Sequence, residues 1–77
     1  MNLYLLTRKG EVGWDQYISM VVAAPDEESA RVISPRGQDY QSGDWDWVPP
    51  QLVKVKLIGI AVPGIAKGPV HKSFKAG

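Results

Sequence analysis

A small two-layer α+β domain is the fold class this sequence predicts, and three observations predict it. Two apolar stretches, Asn2 to Arg8 and Tyr17 to Ala24, are separated by a segment holding Gly10 and Gly13, the pattern of a hairpin. Pro25 and Asp26 then open a short run of helical spacing. A third alternating stretch, VKVKLIGIAV, begins at Val53. With 77 residues the chain, 1–77, has room for one domain and one modest core. Its apolar share of 44% and charged share of 22% are those of an ordinary globular chain, which argues against wholesale disorder.

In the first strand Leu3, Leu5 and Thr7 share one face, and Tyr4, Leu6 and Arg8 the other. Apolar residues on both faces place this strand in the middle of the sheet. Lys9 to Asp15 is the connection, with Trp14 in or beside the turn. The second strand sets Ile18, Met20 and Val22 against Ser19, Val21 and Ala23, and Pro25 closes it because proline cannot donate to a ladder. Asp26 is placed to cap a helix whose first turn holds Glu27 and Glu28, where the helix dipole favours acids. Ala30 and Ile33 supply its buried stripe, Arg31 is expected to face water, and Pro35 ends it at Ser34. A helix of barely two turns must lean on the sheet to persist.

Residues 35–50 (PRGQDYQSGDWDWVPP) carry no periodicity and read as a long aromatic and acidic loop. The third strand begins at Gln51 or Leu52. Val53, Val55 and Leu57 alternate with Lys54 and Lys56, and the phase then flips to Ile58, Ile60 and Val62. A bulge near Gly59, or burial of both faces, accounts for the flip. Residues 63–77 form a basic C-terminal segment, expected to be partly mobile, in which Val70 to Phe74 can add a short edge strand. The expected architecture is ββαβ(β): an antiparallel sheet of three or four strands in the order 2-1-3, a fourth strand lying beside the third. One short helix covers one face.

The charge is unevenly spread. Residues 1–50 hold all eight acids against four bases, whereas 51–77 hold five lysines and no acid. With no cysteine there is no disulfide, thiolate metal site or cysteine nucleophile. The N-terminus lacks the basic segment of a signal peptide, and the apolar run Leu57 to Ala66 is too short and too broken to span a bilayer. No membrane association and a cytoplasmic location are expected.

Three segments, TRKGEVGWDQYISMVVAAPDEESARVISP, WVPPQLVKVKLIGIAV and the terminal SFKAG, resemble a family of small uncharacterised phage and prophage proteins. Their pattern runs LTR…VGYDEY…VVxA…EEAR, then a tryptophan, a final strand and SFNAG. Trp14 stands where the family has tyrosine, Gln16 where it has an acid, and Lys75 where it has asparagine. The resemblance covers most of the chain outside the central loop. It implies a phage or prophage origin and an infected bacterial cytoplasm, and it implies no activity.

The residues offer no catalytic constellation. His71 is the sole histidine and has no second positioned group. Asp44 and Asp46 lie in an aromatic loop, where a turn-forming pair is the plainer reading than a hydrolytic dyad. No ligand spacing suits zinc or calcium, and the glycines match no phosphate-binding fingerprint, so no metal and no cofactor are expected. A non-enzymatic protein that binds and modulates a host bacterial protein is therefore the expected function. Its expected contact residues are Tyr40, Asp44, Trp45, Asp46 and Trp14, because aromatic residues flanked by acids suit a protein interface. Trp47, held near the third strand by Val48 and two prolines, is expected to fold back onto the core, leaving Tyr40 and Trp45 exposed. Two alternatives stand beside it: nucleic-acid binding through Lys67, His71, Lys72 and Lys75, and a minor structural role in the virion. A homodimer through an exposed sheet edge is also open.

Overall fold

The computed structural model describes residues 1–10, 16–43 and 46–75. Four antiparallel strands form one sheet: β1 (Asn2–Arg8), β2 (Gln16–Ala24), β3 (Val53–Ile60) and β4 (Gly68–Lys75). A single short helix, α1 (Glu27–Arg31), lies between β2 and β3 in the chain. The small α+β fold expected from the residue pattern is the fold observed. β1 is central, paired with β2 and β3, as its two apolar faces require.

The position of the fourth strand is the correction. The order is β3-β1-β2-β4, so β4 lies beside β2 and not beside β3. A tight turn after β3 would have returned the chain alongside it. Instead seven residues, 61–67, separate the two strands. At roughly 3.3 Å per residue they reach about 23 Å, more than the three strand spacings of about 4.8 Å that the crossing needs. The crossing is fastened at its start, where the Ala61 N–H donates to the Met1 carbonyl at 2.8 Å. Its corner is the Pro63–Gly64 turn, in which Gly64 takes a φ of 97° that suits glycine.

On the helix side of the sheet, Tyr4 and Leu6 stand opposite Val22 and Met20, with Val53 and Val55 beyond them on β3. Ala30 and Ile33 pack onto this face from the helical segment, and Trp47 and Val48 from the loop. The fold-back expected of Trp47 is thus present: 3% of it is exposed. The opposite face carries Leu3, Leu5 and Val21, half-buried, beside the exposed Lys54 and Lys56. No helix covers it.

The predicted phase flip in β3 is a bulge. Leu3 pairs with Gly59 and Tyr4 with Leu57, which leaves Ile58 as the extra residue. Gln51 and Leu52, expected to open the strand, instead belong to a turn of 3-10 helix, Pro50–Leu52. Proline suits the first position of such a turn, since its fixed φ is already helical.

Asp26 caps α1 as expected, its carboxylate accepting from the Ser29 N–H at 2.7 Å. That backbone bond, and secondarily the Ser29 side chain, hold the Asp26 carboxyl below the usual carboxylate range, with a smaller contribution from Lys67. A lowered folded-state pKa stabilises the fold above the ordinary value, and that stabilisation is lost as pH falls through the folded one. The melting temperature of the wild type should therefore exceed that of Asp26→Asn at pH 7. The gap should close as pH drops below about 3.9. A gap that persists unchanged to strongly acidic pH would show that charge plays no part in the cap.

Arg31 does not face water as expected. Its guanidinium donates to the Val53 and Pro50 carbonyls. The helix is so short that its last turn lies over the start of β3, within reach of a long side chain. The contact to Glu27, at 3.9 Å on the helix surface, adds little.

Candidate interaction surface

Parts of the loop proposed to meet a partner are drawn into the domain. After α1 the chain turns tightly: the Ser34 N–H donates to the Gln38 carbonyl at 2.8 Å, and Gly37 donates back to Ser34 at 3.0 Å. Ile33 and Asp39 form a β-bridge, and the Tyr40 N–H then bonds the Val32 carbonyl at 2.7 Å. This turn lays Tyr40 against the core, half-buried, and corrects its expected exposure. Asp46 is likewise engaged. Its carbonyl accepts from the Tyr17 N–H at 3.0 Å, and its carboxylate pairs with Arg36 at 3.3 Å. Tyr40 and Asp46 therefore brace the loop against the sheet. Trp14, Asp44 and Trp45 lie outside the described residues.

The basic set is dispersed. Lys67 sits exposed in the crossing segment, and His71 is exposed on β4 opposite Val21. Lys72 is a strut: its ammonium donates to the Pro35 carbonyl at 3.0 Å and lies 5.7 Å from the centre of the Tyr17 ring. The Lys75 backbone pairs with Gln16, and its side chain lies outside the described part of the structure. Among the described residues no group of three or more His, Asp or Glu side chains could hold a metal ion, and no helix is long and apolar enough to cross a membrane.

A different surface stands out. Leu3, Ile60, Ala61, Val62, Ile65 and Val70 line an open groove of about 270 Å³ with an entirely apolar set of side chains. It forms where the crossing segment and the start of β4 meet the uncovered end of the sheet. Ile60 is 79% exposed, Val62 68% and the neighbouring Leu57 59%. Scattered exposed apolar residues are ordinary, but six of the nine large ones exposed among the described residues fall between Leu57 and Val70. Such clustering marks a contact surface. The exposure follows from the size of the covering layer. A five-residue helix and one loop can shield one face of a four-stranded sheet, and no described residue covers this corner.

No motif points to this groove. The available signal is the run LIGIAVPGIA itself, which holds more branched apolar residues than so small a domain can bury under one helix. No family model, curated protein or solved structure matches the chain.

Proposed function

We propose that this protein is a small non-enzymatic interaction module that receives a protein partner on the apolar groove around Ile60 and Val62. One observation carries the reading, a contiguous exposed cluster of branched side chains on an otherwise well-packed domain. Fully covering one such side chain is favourable by about 1.5–3 kcal/mol, so shielding two or three of them contributes about 3–9 kcal/mol toward the cost of association. The loop residues first expected to make contact are engaged within the domain instead: Tyr40 packs against the core and Asp46 pairs with Arg36. The likeness to phage and prophage proteins supports a host bacterial protein, met in the cytoplasm, as the partner, with modulation rather than catalysis as the outcome.

The test compares the wild type with an Ile60→Asp, Val62→Asp double variant. Both positions are exposed, so the variant should keep the wild-type melting temperature. A partner captured from bacterial lysate by the wild type, and resistant to nuclease, should bind the double variant at least about 100-fold more weakly. Undiminished capture by the variant would remove the groove from consideration. Capture that disappears with nuclease would transfer the role to Lys67, His71 and Lys75.

A further inference from the structure

The two edges of the sheet are built differently. β4 is interrupted by two register irregularities against β2 and carries Pro69, features that blunt an edge. β3 has a single irregularity, at Ile58. At its start the Val53 carbonyl is taken by Arg31; from Lys54 to Ile60 no described residue bonds its outer edge.

The ladder shows which groups that edge offers. The Lys9 N–H donates to the Leu52 carbonyl and the Ala61 N–H to the Met1 carbonyl. With the register of β1 against β3, these bonds turn the backbone groups of Val55, Leu57 and Ile60 away from β1, toward open space. The side chains beside them are distinctive. Lys54 and Lys56 project from the bare face, exposed, while Leu57 on the other face is exposed beyond the reach of the helix. Residues 51–77 contain no acid that could neutralise the two lysines.

We propose that the outer edge of β3, residues 54–60, accepts an extended protein segment as an added strand, with acidic residues at alternate positions and branched apolar residues between them. The added strand would bond Val55, Leu57 and Ile60 through its backbone, set its acids beside Lys54 and Lys56, and cover Leu57 with its apolar side chains. A second copy of the chain fits poorly. A symmetric β3–β3 pair would gather four lysines on one face with no acid among them, which is how lysines ordinarily prevent edge pairing. The proposal rests on the interaction-module reading and specifies its partner.

The probe is a capped hexapeptide alternating glutamate and valine, titrated into isotopically labelled protein and followed by amide chemical shifts. Shifts should concentrate on residues 54–60. A lysine–valine peptide should bind at least about tenfold more weakly, as should a glutamate–valine peptide N-methylated on the donors that face β3. Methylation of the opposite edge should have no effect. Leu57→Pro removes an outward N–H that makes no ladder bond, so it should abolish binding while the domain stays folded. Lys54→Glu with Lys56→Glu should reverse the preference, favouring the lysine–valine peptide. Shifts confined to Val62, Ile65 and Val70, or indifference to N-methylation, would overturn strand addition. So would a dimer of the free chain that Leu57→Pro dissolves. A natural partner that Leu57→Pro retains and Ile60→Asp, Val62→Asp loses would leave the interaction module standing without the added strand.

Discussion

Trp47→Ala should unfold most of the population or leave a barely stable domain. Truncating a buried tryptophan costs about 3–5 kcal/mol, and a domain of this size holds a reserve on the order of 5 kcal/mol. Trp47 is 3% exposed and belongs to the core cluster, so its truncation leaves a large void inside the domain. Trp47→Phe should behave quite differently. The indole N–H is buried with no hydrogen-bond partner among the described residues, and an unsatisfied buried donor costs about 1–3 kcal/mol. Phenylalanine gives up some packing but removes that penalty, and should lie within about 1 kcal/mol of the wild type. Urea unfolding followed by far-ultraviolet circular dichroism measures both. Equal damage from the two substitutions would show that the indole N–H contributes a bond.

Leu6→Ala and Leu57→Ala delete the same atoms from two strands that pair with each other, and should differ severalfold in cost. Leu6 is fully buried on the central strand, opposite Met20 and Val55, so its truncation should cost about 3 kcal/mol. Leu57 stands opposite Tyr4 but is 59% exposed at the sheet edge, and its loss should stay within about 0.5 kcal/mol. Urea midpoints at matched slopes give the comparison directly. A large cost at Leu57 would mean that its side chain is covered in the free protein, and the open-edge account of β3 would fall with it.

Local chemistry made much of this architecture legible in the sequence. Period-two alternation located β1, β2 and β3, because a strand with one buried face must alternate. Pro25 and Asp26 marked the helix start, since one ends a ladder and the other caps a helix, and both act over a few residues. The break in phase after Leu57 announced the bulge that Ile58 makes. Even the inward fold of Trp47 followed from the prolines that hold it beside β3.

Its own sequence determined which segments of this protein are strands and helix and that β1 lies between β2 and β3. It did not determine their ends, since α1 closes at Arg31 rather than Ser34, β3 opens at Val53 and β4 spans Gly68–Lys75. Only the tertiary structure decided which edge β4 joins, because both edges offer equivalent backbone groups and a seven-residue crossing reaches either. It also decided that the Arg31 and Lys72 side chains tie backbone carbonyls, and that Tyr40 braces the core. Exposure was settled at the same level. Leu6 and Leu57 carry the same side chain, and what separates them is the reach of a five-residue helix, a property of how layers meet and not of any residue alone.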